Sequence, residues 1–410
     1  MNSHLRLLTS EKNKVHGYAL LVALLIIAVL SGIVTEFMFS TKVHAELNTN
    51  HRDWLKARYL AVSAVNTVQY LLELNQLKPG QLLYGLSSWV GYGSSLENTE
   101  KGELISGLAG LTGSPIDPLP SGPLKGQWSI NIPTGLFELD GEVFGRVINE
   151  RGKINLNAIV RINPQDRRND SRNDDVYNVL YTLLQLRGVN SNEIGKLLDS
   201  LVDWIDGNPS VEPQGAEEDY YRGLNSPYYP RNDLLVSLEE LMLIKGWTVE
   251  IFELIKDFVT VYPSQGAGQF TMPDYRVDFA CAPKLVLMAV FLSFRPSVND
   301  APINDIDTAS AVADEIYAKA LEKASPTINV EADGKVSFAE GQTLSANEIQ
   351  SIIAGRLQGN IAYFIYDYRE TDALYYTAIG GGRVNRVVCV VDVVFKYAQN
   401  KSEILRWMEE

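Results

Sequence analysis

The chain has 410 residues, of which 46% are apolar and 21% are charged, and its formal net charge at pH 7 is −14. This length allows two or three domains with a substantial buried core. An acidic surface repels phosphate backbones, so no nucleic-acid partner is expected. The four histidines all lie within residues 4–51. A Ser-His-Asp triad or a His-ligated zinc centre is therefore excluded from the rest of the chain.

An apolar run from Tyr18 to Phe39 dominates the N-terminus. As a helix it is long enough to cross a hydrocarbon layer of about 30 Å. Arg6, Lys12 and Lys14 precede the run, and the positive-inside rule places this basic leader in the cytoplasm. The sequence therefore predicts a single-pass anchor in the cell inner membrane, with the C-terminal body in the periplasm.

Two processing routes compete for this N-terminus. An ordinary signal peptide would be cut after the small-x-small sequence 43–45, but the apolar run before that site is too long. The other route cuts between Gly17 and Tyr18 and leaves the apolar run at the start of the mature chain. A short basic leader that ends in Gly resembles the leaders of type IV prepilins and secretion pseudopilins. The fifth mature residue of that family is usually Glu, whereas here it is Val22, and a plain signal anchor stays open as an alternative.

The elements after the apolar run predict a sheet that is interrupted by helices. No Gly or Pro occurs between Phe39 and Pro79, so one long helix is expected, although two successive helices would look the same. Alternation in QWSINIP and GEVFGRVINERGKINL predicts strands, as do NIAYFIYDYR, ALYYTAIGGG and VNRVVCVVDVVFKYAQ near the C-terminus. Short capped helices lie between these two groups, and ADGKVSFAEGQ resembles an inserted hairpin.

The predicted fold class is therefore α+β. The predicted organisation is a leader at 1–17, a transmembrane and amphipathic helix at 18–78, the first part of an antiparallel sheet at 79–157, a helical insert at 158–359, and the last strands of the sheet at 360–410. Cys281 and Cys389 are the only cysteines, and both a bridge and two buried free thiols are compatible with the sequence.

Residues 199–246, DSLVDWIDGNPSVEPQGAEEDYYRGLNSPYYPRNDLLVSLEELMLIKG, form the most specific stretch. It holds several acids near Pro-containing bends, so a short loop can turn their oxygens inward. Oxygen ligands without His or Cys favour Ca²⁺ over zinc or copper. The spacing is not that of an EF-hand, and a solvated acidic loop explains the same residues. A second acidic loop, NDSRNDD with Asp166 before it, contains Arg and is predicted to be solvated.

The combination of LVDWID, GAEEDYY, PYYPRN and SLEELMLIKG resembles the minor pseudopilin K family of type II secretion systems, also called the general secretion pathway protein K family. RYLAVSAVN, GKINLN and VDFACAP extend the resemblance along most of the chain. The resemblance implies a pilin-like fold, in which a long N-terminal helix packs on a small antiparallel sheet that a large helical, SAM-like insert interrupts.

The resemblance also implies structural calcium in the loops of the insert. Asp206, Glu217 and Asp219 match the acids expected to hold the ion, and Asn208 stands where the family often has Asp. An Asn still offers a carbonyl oxygen, so the site would survive with a lower charge. Glu218 either supports these ligands or is exposed.

The function implied by the resemblance is that of a non-enzymatic subunit that initiates and caps a periplasmic pseudopilus. The implied partners are the minor pseudopilins I and J, the major pseudopilin, prepilin peptidase and the inner membrane, with methylation as an accompanying modification. Two other functions stay open. One is a minor pilin of a type IV pilus or competence filament, and the other is a membrane-anchored periplasmic enzyme that uses paired carboxylates.

Overall fold

A computed structural model of the chain describes residues 5–75, 127–132, 141–263, 273–296, 300–324, 327–330, 336–339, 343–367, 372–398 and 401–409. The sequence assigned residues 79–157 to the first part of the sheet. Residues 79–126 of that segment lie outside the described residues.

The described residues form eight α-helices and eleven strands. The helices are α1 (Leu5–Asn75), α2 (Asp174–Leu186), α3 (Ser191–Ile205), α4 (Glu218–Arg222), α5 (Val249–Ile255), α6 (Lys284–Leu292), α7 (Ile306–Ala324) and α8 (Ala346–Ile353). The strands are β1 (Gln127–Ile132), β2 (Gly141–Asn149), β3 (Ile154–Asn155), β4 (Val160–Arg161), β5 (Ser171–Arg172), β6 (Val259–Thr260), β7 (Thr327–Val330), β8 (Val336–Ala339), β9 (Leu374–Val384), β10 (Val387–Ala398) and β11 (Lys401–Glu409).

The N-terminal helix α1 is continuous over its 71 residues, so the alternative of two successive helices is wrong. Thr hydroxyls in its interior donate to the carbonyl four residues earlier, as Thr41 does to Phe37 at 2.8 Å, and this satisfies them within the helix. The large apolar side chains from Tyr18 to Phe39 are exposed. Among the described residues, α1 is the one helix long and apolar enough to cross a membrane.

A five-stranded antiparallel sheet in the order β1-β2-β9-β10-β11 supports the second half of α1. The strand β9 lies at the centre of this sheet because the chain returns to β2 after a long interruption. One face of α1, with Ala57, Leu60, Ala61, Ala64, Val65 and Val68, is buried against the sheet. This core is distinct from the core of the helical insert, as expected for a helix packed on one face of a sheet.

Two glycines of β9 allow α1 to approach the sheet. A Cβ atom at Gly382 would lie 2.0 Å from the carbonyl oxygen of Ala57, and one at Gly380 would lie 2.5 Å from that of Ala61. Real Cβ atoms never come so close to a backbone oxygen. The absence of side chains at these two positions therefore sets the distance between the helix and the sheet.

The residues between β2 and β9 form a helical insert with its own core. The helix α6 lies largely in this core, with Val286, Leu287, Ala289, Val290 and Phe291 all at or below 1% exposure. The helices α2 and α7 pack against α6. The described residues between β2 and β9 begin at Glu150, before the predicted start of the insert at 158, and the predicted domain bounds stay predictions.

A buried carboxylate links the insert to the sheet. Glu150 accepts hydrogen bonds from Lys153 Nζ at 2.6 Å, from Thr260 Oγ1 at 2.5 Å in the insert, and from Thr377 Oγ1 at 2.7 Å on β9. Tyr262 of the insert also stacks on Tyr375 of β9, with ring centroids 6.1 Å apart. Glu150 is 3% exposed, and its three partners offset the desolvation cost of burying its charge, so removing one of them would leave a buried carboxylate poorly paired.

Several predicted elements are confirmed. The strands predicted from QWSINIP and GEVFGRVIN are β1 and β2. The hairpin predicted at ADGKVSFAEGQ is the antiparallel pair β7–β8, of which β8 lies in that stretch and β7 lies just before it. Cys281 and Cys389 are two buried free thiols.

The strand predicted from NIAYFIYDYR is wrong. Residues Ile361–Phe364 form a 3₁₀-helix instead. Ile361 and Phe364 are both buried in the core of the insert, and Phe364 packs edge-on against Tyr275 at 5.6 Å. Residues three apart lie on one face of a 3₁₀-helix, whereas a strand would place them on opposite faces.

We predict that Gly382→Ala destabilises the chain by about 1–3 kcal/mol, because the added methyl group must push α1 away from β9. Thermal unfolding of the full chain in detergent measures the change. Gly32→Ala is the matched control, because a Cβ there has no atom within 4 Å. Equal unfolding midpoints for the two variants would contradict the close approach.

Candidate functional site

The helix α3 places three carboxylates on one of its faces. Asp199 and Asp203 are four residues apart on α3, and Asp206 directly follows its last residue, Ile205, so the three acids follow one face to the C-terminal end of the helix. Their exposures are 4%, 0% and 1%, although this stretch of the chain is otherwise apolar. Three buried acids on one helix require partners from elsewhere in the fold.

The first two of these acids hold the following loop. Glu212 N donates to Asp203 Oδ1 at 3.0 Å, and Gln214 N donates to Asp199 Oδ2 at 3.1 Å. A Cβ atom at Gly215 would lie 1.8 Å from Asp203 Oδ2, so only glycine lets the loop pass this carboxylate. The loop that starts after α3 is thereby folded back over the helix.

Four acids form what we call the carboxylate cluster: Asp170, Asp203, Asp206 and Glu217. Asp206 lies where α3 ends, Glu217 lies directly before α4, and Asp170 comes from the loop before α2. Three oxygen atoms of the cluster, Asp203 Oδ2, Asp206 Oδ1 and Glu217 Oε1, are buried without a hydrogen-bond partner. Buried oxygens of this kind need an explanation, because most buried polar groups in proteins are paired.

The electrostatics of the cluster follow from burial and from mutual repulsion. Burial, together with the charges of Glu217, Asp203 and Asp170, raises the pKa of Asp206 to about 8. Burial and the charge of Asp203 raise the pKa of Glu217 to about 7. Burial also raises the pKa of Asp203 to about 6. In the absence of a cation, Asp206 is therefore mostly protonated at pH 7, whereas Glu217 is about half ionised and Asp203 is mostly ionised.

Asp170 is not solvated, contrary to the prediction for its loop. It is 6% exposed, and Arg167 Nε donates to its Oδ2 at 2.6 Å. Asn163 N and Gly207 N also donate to this carboxylate, at 2.7 and 3.1 Å. Arg167 further donates to the carbonyl of Ile205 at 2.8 Å. The Arg in the loop thus brings Asp170 into the cluster instead of keeping it in water.

The predicted ligands occupy different environments. Asp206 is buried, and its Oδ2 accepts a hydrogen bond from Asn208 Nδ2 at 2.7 Å. Glu217 is half-buried, whereas Glu218 and Asp219 are exposed on α4. A role for Asp219 as a ligand stays a prediction.

The chemistry of this cluster suits a hard cation. Its donors are carboxylate oxygens. Asn208 turns its Nδ2 toward Asp206, and its Oδ1 accepts from Ser210 N at 2.8 Å, so this amide must turn before its oxygen can bind a cation. Within the described ranges, no three His, Cys, Asp or Glu side chains already stand in an arrangement that would hold a metal ion. The unpaired oxygens of Asp203, Asp206 and Glu217 nevertheless fit a divalent ion, because such an ion would supply the missing partner and remove the repulsion.

Asp170, Asp199 and Asp203 were not among the predicted site residues. The signal for the two on α3 was present, since acids four residues apart interrupt the apolar pattern of DSLVDWID. Asp170 gave no such signal. Its burial depends on Arg167 and Gly207, and sequence spacing does not show that these two residues meet.

The comparisons with known proteins concern the same part of the chain. Residues 152–264 match the family model described as type II secretion system (T2SS), protein K. This segment runs from the end of β2 through the carboxylate cluster to β6. The resemblance stated from the sequence, to protein K of type II secretion systems, is thus confirmed over this segment.

Curated relatives give the same result over similar lengths. The chain is 30% identical over 128 residues to the type II secretion system protein K of Aeromonas hydrophila, which is 30% of this chain and 39% of that protein. It is 28% identical over 150 residues to the protein K of Pectobacterium carotovorum subsp. carotovorum, 35% of this chain and 44% of that protein. The matches therefore span less than half of either relative.

A solved structure, that of the GspK-GspI-GspJ complex from the enterotoxigenic Escherichia coli type 2 secretion system, contains a chain similar to this one. The TM-score is 0.45 at 14% identity, and the alignment covers 88% of this chain and 99% of the other.

We predict that the calcium-free chain loses stability as the pH rises. Asp206 has a pKa of about 8 in the folded state against about 3.8 when unfolded. The folded state thus binds the proton more tightly between these values, and stability falls with rising pH across that window. In a chelator we expect an unfolding free energy lower at pH 8 than at pH 6 by on the order of 1 kcal/mol.

Asp206→Asn should remove most of this pH dependence, because an amide does not ionise. Glu218→Gln is the matched control, since it removes an exposed carboxylate directly after Glu217. The raised pKa of Asp206 would be contradicted if the unfolding free energy of the wild-type chain did not change with pH. It would also be contradicted if the unfolding free energy of Asp206→Asn fell as steeply with pH as that of the control.

Proposed function

We propose that the chain is a minor pseudopilin of a type II protein secretion system and that it lies at the tip of the periplasmic pseudopilus. The observation that carries this proposal is the position of the segment similar to protein K. That segment lies in an insert within a sheet, and the sheet is packed on a long helix with an apolar, exposed N-terminal half. This arrangement offers a rod for lateral packing and a bulky head above it.

The role of this chain is proposed to be structural instead of catalytic. The helix α1 would stay in the inner membrane until assembly, with the head in the periplasm. It would then pack against the helices of neighbouring subunits. Because Val22 replaces the usual Glu, the chain would not neutralise the free amine of a subunit placed above it. The head would also block addition from above, so the chain would initiate and cap the filament.

The proposed partners are the minor pseudopilins I and J, the major pseudopilin below them, and prepilin peptidase. The relative in the solved structure is in a complex with GspI and GspJ, and that complex supports the choice of I and J.

The test is co-expression of the full chain with prepilin peptidase and with the minor pseudopilins I and J of the same organism, followed by purification and N-terminal sequencing. We expect a mature chain that begins with Tyr18 and co-purifies with I and J. Gly17→Leu is the control, since a bulky residue at this position should block cleavage. A mature chain that begins with Glu46, or one that leaves I and J unbound, would contradict the proposal.

We also propose that the carboxylate cluster holds a structural Ca²⁺ ion. Asp206 and Glu217 would be its principal carboxylate ligands, with Asn208 as a neutral ligand and Asp219 as a further candidate. Three buried oxygens without hydrogen bonds and the raised pKa values of the acids support this proposal. The ion would supply positive charge that lets the acids ionise, and it would fix the loop between α3 and α4.

Calcium should raise the unfolding midpoint of the full chain. A ligand that binds only the folded state adds about 2.7 kcal/mol at a concentration one hundred times its Kd. Asp206→Asn should abolish most of this gain, and Asn208→Asp should increase the affinity because it adds a charge. Glu218→Gln should respond like the wild type.

Magnesium serves as a second control, since it prefers a tight octahedral shell of waters and should stabilise the chain less. The calcium proposal fails if millimolar calcium leaves the wild-type midpoint unchanged, or if Asp206→Asn gains as much as the wild type. Asp219→Asn decides the role of the exposed acid on α4.

A further inference from the structure

An open groove of about 480 Å³ lies between α1 and the turn that joins β9 to β10. Its lining consists of Lys42, Ala45, Glu46, Thr49, Asn50 and Arg386. Lys42 and Arg386 are exposed, and neither forms an ion pair within the part of the chain that the structure describes. Two cations therefore face one carboxylate, Glu46, across the groove, which leaves a net charge of about +1.

The turn between β9 and β10 points toward the apolar end of α1. Along β9, Gly380 lies next to Ala61, and Gly382 lies next to Ala57. Asn385 then donates to Asp53 Oδ2 at 2.8 Å. Each step along the strand thus moves toward lower residue numbers on the helix. Arg386, the next residue, completes the end of the head that is nearest to the apolar run.

The groove begins where the apolar run ends. At a rise of 1.5 Å per residue, Lys42 lies about 5 Å beyond Phe39 along the helix axis, and Asn50 lies about 16 Å beyond it. The head-group layer on each side of a bilayer is roughly 5–8 Å thick. If Phe39 marks the edge of the hydrocarbon, the mouth of the groove with Lys42 lies within the head groups.

The charge of this end of the head is opposite to that of the chain. The chain carries a formal −14. In contrast, residues 42–58 of α1 and 383–386 of the turn contain six Lys or Arg against Glu46, Asp53 and the nearby Glu409, which pairs with Arg58. Basic residues next to a membrane span attract anionic lipids. A net charge of about +1 within the groove matches the single negative charge of a phosphodiester.

We propose that this groove binds the phosphodiester head group of an anionic phospholipid in the exported leaflet. Lys42 and Arg386 would contact the phosphate oxygens, with Arg386 offering a planar pair of donors and Lys42 a point charge. The lipid would hold the head against the membrane before α1 leaves the bilayer. This inference rests on the proposed orientation of the chain, with its head on the exported side.

The test uses the full chain in nanodiscs that contain phosphatidylcholine with a minor fraction of phosphatidylglycerol. Native mass spectrometry counts the lipids that the chain retains. We expect the wild type to prefer phosphatidylglycerol, and Lys42→Ala with Arg386→Ala to weaken this preference about 30-fold, since each membrane-proximal cation contributes roughly a fivefold factor. The double variant should unfold at the wild-type temperature, because both side chains are exposed.

The matched control is Lys196→Ala with Lys401→Ala. It removes the same charge at exposed positions outside the groove and should keep the preference. Glycerol phosphate tests the source of the phosphate, and it should not displace the lipid at equal concentration. Displacement would overturn the proposal, as would a double variant that retains phosphatidylglycerol like its control.

The other possible occupant is an acidic segment of a neighbouring subunit. A double variant that keeps its lipid preference but no longer co-purifies with the minor pseudopilins I and J would favour that occupant and overturn the lipid proposal. Protease protection in vesicles separates this inference from the proposed function. A head on the cytoplasmic side defeats the proposed function, whereas an exported head without a lipid preference defeats only the lipid site.

Discussion

The close contact between α1 and the central strand β9 determines how the rest of the molecule is arranged. Gly380 and Gly382 let the backbone of the strand approach the helix carbonyls of Ala61 and Ala57. A helix held at two points against a five-stranded sheet cannot rotate or slide without breaking both contacts. The apolar half of α1 continues the same helix beyond these contacts, so its direction relative to the head is set where the helix leaves the sheet. A force or a neighbour that acts on the helix acts on the head directly.

The insert is attached to this frame through polar contacts and has a separate core. Glu150 lies between the two cores and bonds to Thr260 in the insert and Thr377 in the sheet. Separate cores allow the insert to vary without disturbing the contact between α1 and β9. Because the carboxylate cluster lies in the insert, the free-energy cost of burying its acids is also confined to the insert. Repulsion among the acids around Asp206 thus acts on the core of the insert and not on the contact between α1 and β9.

The sequence predicted the elements whose pattern is local. Uninterrupted helical residues after Phe39 predicted α1, and alternation predicted β1, β2, β9 and β10. The predictions failed for residues whose burial depends on a segment distant in the sequence. Asp170 was assigned to water because Arg residues surround it, but Arg167 neutralises it next to Gly207. Ile361 and Phe364 were assigned to a strand, although the core of the insert buries both on one side of a 3₁₀-helix.

The motif GKINLN shows why the sequence indicated a family without indicating a function. Asn157 is 0% exposed, and its amide donates to the carbonyls of Leu235 and Val261 while its oxygen accepts from Leu235 N. Asn155 likewise donates to the carbonyl of Pro263 at 3.0 Å. No apolar residue can satisfy these buried backbone groups. The motif therefore specifies how the loops of the insert are joined. The resemblance thus identifies an architecture, whereas the proposed function depends on what the exposed half of α1 contacts.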